Sequence, residues 1–237
     1  MVCDGMGGHE AGEIASRLAV DIFAENAAKA RRRLDAPDLK LSAARAMAQD
    51  LIIDWTQHAN AEIHERGRET GDETLKSRMG TTLAVVLFVS DFVVVGNVGD
   101  SRVYRMRDGV LEQVTCDHTI VAEAQRSPSD PRPPRKRKYV TRALGTKRTV
   151  EPDVTLLDVF GGDVFLLCSD GLTDLVDDDE IEEVLRRAGP NRRLAVRSLI
   201  DMANKRGGVD NVTVVLGEVL GAGDDDDDDT DVIETDA

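Results

Sequence analysis

The chain has 237 residues, of which 41% are hydrophobic, and its formal net charge is −15. This length suits one domain with a sizeable core, and no apolar run is long enough to cross a bilayer. The acidic balance lacks the basic footprint of a nucleic-acid binder, and three cysteines without a C-x-x-C spacing argue against a zinc site or a disulfide framework. Together these features predict a cytoplasmic protein that binds neither nucleic acid nor membrane.

Two helices are predicted near the start of the chain, at 12–33 and 41–66, on either side of Pro37. The apolar residues of the first recur at helical spacing on one face, with alanines between them: Ile14, Leu18, Ile22 and Phe23. The second helix has a longer stripe of the same kind: Leu41, Ala44, Ala48, Leu51, Ile52, Trp55, Ala59 and Ile63. One apolar face on each helix predicts that both lie on a sheet.

The middle of the chain has the composition of β-strands, with many valines, leucines and aromatic residues. Asp108-Gly109 predicts a hairpin turn between two of these strands. Two helices, at 179–187 and 191–205, separate the last two strands. The predicted strands are 81–89, 92–98, 102–107, 110–114, 163–168 and 212–220. This order of helices, strands, helices and a final strand predicts an α+β protein in which helices flank packed sheets.

The negative charge is concentrated at the end of the chain. Residues 224–237 contain eight Asp, one Glu and no basic residue, and therefore carry −9 of the total of −15. Because these charges repel one another and little there can be buried, we predict a disordered acidic tail at 221–237. The rest, 1–220, is predicted to be a single domain.

Four short strings place an aspartate at the tip of a strand-like run, beside glycine or another small residue. They are Cys3-Asp4-Gly5-Met6-Gly7-Gly8, Gly99-Asp100-Ser101-Arg102, Cys168-Ser169-Asp170-Gly171 and Gly208-Val209-Asp210-Asn211-Val212-Thr213. A strand tip holds a carboxylate rigidly, and glycine lets the backbone come close to whatever the carboxylate binds. Oxygen donors of this kind suit hard cations such as Mg²⁺ or Mn²⁺.

In this order, the strings resemble those of the metal-dependent serine/threonine protein phosphatases (the PPM or type 2C class) in their bacterial form. The resemblance extends from the first residues to about Leu220. Further matches are Gly80-Thr81-Thr82-Leu83, Asp117-His118-Thr119, Thr141-Arg142-Ala143-Leu144-Gly145 and Gly171-Leu172-Thr173-Asp174. The family fold that the resemblance implies is a four-layer α-β-β-α sandwich of two antiparallel sheets flanked by helices.

The resemblance also implies a metal site and a role for each ligand. Asp4 would bridge two ions, and the carbonyl of Gly5 would bind the second of them. Asp170 and Asp210 would supply the remaining carboxylates of the first ion, so that Asp4, Asp170 and Asp210 form the catalytic group. Asp100, together with Asp170, would hold a third and weaker ion.

The implied reaction is hydrolysis of phosphoserine and phosphothreonine in proteins by a metal-activated water. Two Mn²⁺ or Mg²⁺ ions about 3.5–4 Å apart neutralise phosphoryl oxygens and lower the pKa of a bridging water. Asn211 would orient the Asp210 carboxylate from outside the ligand shell. Met6 stands where some family members carry a histidine as general acid, so the leaving group would be protonated by metal-bound water or another group.

One departure from the family pattern keeps a second interpretation open. Family domains begin with about two strands before the Asp-Gly string, and those strands carry a phosphate-binding arginine and an acidic residue. Asp4 is the fourth residue of this chain, so neither can be assigned. We therefore expect either a domain that is truncated at its N-terminus or a degenerate relative. The alternative function is that of a pseudophosphatase, a non-catalytic binding or regulatory module.

The expected partners also follow from the resemblance. They are phosphorylated protein substrates, with a serine/threonine kinase or its targets among them, and the protein itself is expected to be a monomer. The proline-rich, basic segment 128–138 must be a loop. In the family this region forms a flap beside the active site, so the segment either docks acidic or phosphorylated substrates or is simply a solvated loop.

Overall fold

The computed structural model describes residues 1–34, 36–69, 79–122 and 139–221. The predicted basic loop at 128–138 lies outside these ranges, as does the predicted acidic tail beyond residue 221, and both stay predictions. Within these ranges the helices are α1 (His9–Leu34), α2 (Leu41–Glu69), α3 (Asp170–Thr173), α4 (Asp178–Ala188) and α5 (Arg192–Lys205). The strands are β1 (Gly5–Met6), β2 (Gly80–Thr81), β3 (Leu83–Val89), β4 (Phe92–Val98), β5 (Arg102–Arg107), β6 (Val110–Gln113), β7 (Asp153–Asp158), β8 (Val164–Cys168) and β9 (Val214–Glu218).

Two antiparallel sheets form the centre of the described structure. The first sheet has the strand order β3-β4-β7, and the second has the order β6-β5-β8-β9. The short strands β1 and β2 form a separate antiparallel pair. Val2 is bridged to Ala84 of β3, which links the start of the chain to the edge of the first sheet.

The two sheets pack face to face through an apolar layer. Val93 and Val95 of β4 meet Val103, Phe165 and Leu167 from the second sheet in one buried cluster. Successive side chains of a strand point to opposite faces, so the intervening residues of β4 face the other way, toward the helices. Every residue of β4 is therefore buried, which explains its nearly continuous apolar sequence.

Helices cover the outer face of each sheet. α2 packs on the first sheet, and α1 packs against α2 and the β1–β2 pair. Phe23 of α1 and Trp55 of α2 meet edge to face with their ring centroids 5.8 Å apart. α4 and α5 pack on the second sheet through Ile181 and Leu199. The molecule is thus the predicted α-β-β-α sandwich. No helix in the described ranges is long and apolar enough to span a membrane.

Most predicted elements are present, and the differences have local causes. The predicted hairpin turn is confirmed, because Asp108 and Gly109 have φ angles of 52° and 80°, as a type I′ turn requires. The predicted strand 81–89 is interrupted at Thr82, so that it contributes to both β2 and β3. Strand β7 was not predicted: it lies at the edge of the first sheet and none of its residues is fully buried.

The buried face of α1 is as predicted except at Ile14, because Ile22 and Phe23 are buried and Leu18 packs against the core. Ile14 is 37% exposed, and the core contains the alanines that lie between the larger residues. Those alanines are Ala11, Ala15, Ala19 and Ala30. Their small side chains allow α1 to lie close to the elements beneath it.

Two adjacent isoleucines of α2 allow the same substitution to be compared at a buried and at an exposed position. Ile52 is fully buried, whereas Ile53 is 39% exposed. Ile52→Ala should lower the free energy of unfolding by about 2–5 kcal/mol, because it leaves a cavity against the first sheet. Ile53→Ala should lower it by less than about 1 kcal/mol. Urea unfolding of both variants measures the difference, and equal losses would mean that α2 presents another face to the sheet.

Candidate metal centre

The four aspartates singled out in the sequence all lie where strands begin or end. Asp4 directly precedes β1, and Asp100 lies between β4 and β5. Asp170 follows β8 as the first residue of α3, and Asp210 lies in the loop that leads to β9. Asp100 is buried, Asp4 and Asp170 are half-buried, and Asp210 is exposed.

The electrostatics of Asp4 show that these carboxylates are neighbours. Burial raises the pKa of Asp4 to about 7, and the carboxylates of Asp170, Asp210 and Asp100 contribute to the rise. Asp170 is also in hydrogen-bond contact with Asp4. Like charges held this closely disfavour each other's ionised form. Within the described ranges, no group of three or more Asp, Glu, His or Cys side chains is positioned to hold a metal ion as it stands.

The backbone around Asp4 is held by two threonine hydroxyls. The Asp4 N–H donates to Thr82 Oγ1 at 2.9 Å, and the Thr82 N–H donates to the Asp4 carbonyl at 2.9 Å. Thr81 Oγ1 donates to the same carbonyl at 3.0 Å. Thr82 Oγ1 also lies 2.7 Å from Ser101 Oγ, which follows Asp100 in the chain. A buried hydroxyl pair therefore connects the backbone segments that carry Asp4 and Asp100.

A fully buried histidine supports the turn that carries Asp100. The His118 N–H donates to the Gly99 carbonyl at 2.8 Å, and the Gly99 N–H donates to His118 Nδ1 at 3.1 Å. Because Nδ1 accepts, the neutral ring carries its proton on Nε2. That atom lies 3.2 Å from Asp153 Oδ2. His118 thus joins the Asp100 turn to the first residue of β7.

Two family motifs to which the sequence assigned no role meet at this histidine: Asp117-His118-Thr119 and Thr141-Arg142-Ala143-Leu144-Gly145. Burial would raise the pKa of Asp153, but contacts with His118 and Arg142 outweigh it and hold that pKa below its ordinary value. Asp117, the neighbour of His118, receives two hydrogen bonds of 2.9 Å from the guanidinium of Arg102. Bidentate pairs of this kind fix geometry as well as adding energy, so the segments before and after residues 123–138 are anchored to the site.

The loops that carry Asp170 and Asp210 are in backbone contact. A Cβ on Gly171 would come within 2.3 Å of the Asn211 carbonyl oxygen, so only glycine fits there. Asn211 contacts the Asp210 carboxylate, but its predicted role in orienting a metal ligand stays a prediction. The Asn211 backbone N–H, and not its side-chain amide, donates to Asp210 Oδ1 at 2.8 Å. In a tight turn the next N–H lies within reach of an aspartate side chain, and the sequence does not reveal which group makes the contact.

The cysteines beside the aspartates have a packing role. All three cysteines are free, and burial raises the pKa of Cys3 and of Cys168 to about 12. Thiols with such a pKa are not ionised near neutral pH and are poor nucleophiles. Both therefore act as small apolar packing residues.

Comparison with known families identifies the chain. The family model for protein phosphatase 2C matches residues 1–200. The chain belongs to this family. A serine/threonine phosphatase, stp, of Listeria monocytogenes is 35% identical over 92% of this chain and 83% of its own length. The serine/threonine protein phosphatase PstP of Mycobacterium tuberculosis is 37% identical over 92% of this chain and 40% of its own length.

A solved structure extends the comparison to the fold and the metal. The catalytic domain of PstP in complex with two manganese ions has a TM-score of 0.74 and 34% identity, over 92% of this chain and 86% of that structure. The predicted PPM family, the sandwich fold, the serine/threonine protein phosphatase activity and the use of Mn²⁺ are thereby confirmed. The protein phosphatase 2C chain described here is therefore a metal-dependent hydrolase that acts on phosphorylated proteins.

The raised pKa of Asp4 predicts how stability depends on pH in the presence of a chelator. The carboxyl ionises near 3.8 in the unfolded chain and near 7 in the folded chain. Between these values the unfolded chain binds fewer protons, so this group lowers stability as pH rises. The Asp4→Asn variant should therefore melt at about the wild-type temperature at pH 4 and at a higher temperature at pH 8. Each kcal/mol of repulsion that the substitution removes should raise the melting temperature by about 2–4 °C.

Thermal melting in EDTA at the two pH values makes this measurement. Asp201→Asn is the matched control, because Asp201 is exposed on α5 and its replacement should change the melting temperature equally at both values. If Asp4→Asn behaved like the control, Asp4 would not be subject to the repulsion inferred above.

Proposed function

We propose that the carboxylates of Asp4, Asp170 and Asp210 and the carbonyl of Gly5 hold the two catalytic ions, and that Asp100 with Asp170 holds a third. The observation that carries this assignment is the convergence on Asp4, whose pKa is raised by burial and by the neighbouring carboxylates of Asp170, Asp210 and Asp100. An all-oxygen donor set also suits Mn²⁺ and Mg²⁺, which retain several waters when bound. In the sequence these residues match the family's ligand motifs.

The proposed reaction is hydrolysis of a phosphoserine or phosphothreonine ester by water, with no covalent enzyme intermediate. When bound, the ions neutralise phosphoryl oxygens and make a water nucleophilic near neutral pH. The chain's own residues position the proposed ligands. The Asn211 N–H orients one oxygen of Asp210, and Thr82 holds the backbone of Asp4. Met6, which pairs with Gly80, has no proton to transfer, so we infer that water protonates the leaving alkoxide.

The biological setting is also a proposal. The enzyme would oppose a serine/threonine kinase in the cytoplasm, and its free cysteines fit a reducing compartment. We further propose that it is a monomer, since its most exposed apolar side chains, Val110, Phe160 and Val209, come from different elements and single apolar residues are normal on a monomer. The domain would end near residue 220, because β9 is the outer strand of the second sheet.

Substitution of the ligands tests the assignment. Asp170→Asn and Asp210→Asn should each reduce Mn²⁺-dependent hydrolysis of a phosphothreonine peptide by at least about tenfold. Loss of a ligand weakens metal binding more than loss of a group that only orients a ligand. Asparagine has nearly the same shape, so melting in chelator should change little.

Asp201→Asn removes the same charge from an exposed position of α5 and should retain full activity. A rate above about a tenth of wild type in either ligand variant would remove that residue from the metal site.

A further inference from the structure

Ser169 is a buried residue that connects two of the proposed metal ligands. It directly precedes Asp170 and is 2% exposed. Its Oγ donates to the Asn211 carbonyl at 3.0 Å and accepts from the Thr213 N–H at 3.0 Å. Its own N–H donates to the Thr213 carbonyl at 3.1 Å. The Ser169 side chain is therefore hydrogen-bonded to two backbone groups of the segment that follows Asp210, one on Asn211 and one on Thr213.

The Ser169 hydroxyl lies just beyond the last backbone pair between β8 and β9 of the second sheet. The β8–β9 ladder ends at the pair Cys168 and Val214, so the ligand-bearing residues on both strands lie beyond it. The loop 206–211 is exposed throughout. The two bonds of Ser169 Oγ continue the connection between the strands past the ladder and up to the residue next to Asp210.

We propose that Ser169 is a positioning residue that holds the Asp210 loop beside Asp170 and thereby sets the affinity for the divalent cation. The proposal rests on the ligand assignment given above. Without the hydroxyl, the Asn211 carbonyl and the Thr213 N–H lose a buried partner. The loop can then relax, and the Asp210 carboxylate is no longer held in place before the cation binds. Groups that orient ligands in this way affect metal affinity strongly.

The test compares two buried hydroxyls that lie in the same turn. Ser169→Ala should weaken Mn²⁺ binding about tenfold, measured by the electron paramagnetic resonance signal of free Mn²⁺. The Mn²⁺ concentration that gives half-maximal activity should rise by a similar factor, whereas kcat at saturating Mn²⁺ should fall less than about threefold. Thr173→Val is the matched control, because Thr173 Oγ1 is buried without a hydrogen-bond partner among the described residues, and it should bind Mn²⁺ within about twofold of wild type.

A double-mutant cycle with Asp210→Asn identifies the route of the effect. If Ser169 acts through Asp210, Ser169→Ala should weaken Mn²⁺ binding in the wild-type background and have little effect when Asp210 is already Asn. Ser169→Thr keeps the hydroxyl and should bind Mn²⁺ more tightly than Ser169→Ala. Melting in chelator verifies that every variant is folded.

The possible failures can be told apart. If Ser169→Ala binds Mn²⁺ as wild type does while Asp210→Asn binds it weakly, the positioning role is overturned and the ligand assignment stands. An equal loss in both backgrounds also overturns that role, because the effect would not pass through Asp210. If Asp210→Asn itself binds Mn²⁺ normally, the ligand assignment fails, and with it the role of Ser169.

Discussion

Repulsion among four carboxylates is the constraint on which the rest of this structure depends. Asp4 shows it directly, because burial and three acidic neighbours raise its pKa to about 7. The contacts that resist this repulsion act mainly on the backbone: Thr82 binds the amide of Asp4, and Ser169 binds the carbonyl of Asn211. Such contacts hold the acidic residues together without neutralising them, which leaves their charge available to a cation. Sites of this kind lower the stability of a fold in return for function.

The sandwich brings the four aspartates together because the strand ends that carry them, in both sheets, lie on the same side of the molecule. Asp4 follows the residues that pair with the edge of the first sheet, and Asp170 and Asp210 lie at neighbouring strand ends of the second. Asp100 lies between β4 and β5, where the chain passes from one sheet to the other. The apolar layer between the sheets therefore sets the distance between the two halves of the site. A closely packed interior transmits small shifts, so this layer and the metal centre are mechanically connected.

Features that depend on nearby residues could be predicted from the sequence. The long helices, the valine-rich strands and the type I′ turn at Asp108 follow from local periodicity and turn chemistry, and the aspartates could be found because each lies beside a small residue near the start or end of a strand-like run. Strand β7 gave no such signal, because an edge strand with half-exposed residues has weak alternation. On α1 only Ile14 departs from the predicted buried face, since its side chain is 37% exposed while the alanines beside it fit against the core.

Polar contacts between distant residues could not be predicted, although they complete the site. His118 bonds Gly99, which lies 19 residues away, and Arg102 bonds both Asp117 and Tyr104. The Tyr104 hydroxyl in turn donates to Asp178 at the start of α4, and burial raises the pKa of that tyrosine well above its ordinary value. Buried polar groups must find partners, but a sequence shows only that such groups exist and not which of them meet. The same bonds that order the segment next to Asp100 also attach β5 to α4, so the geometry of the proposed metal site depends on contacts that also stabilise the second sheet.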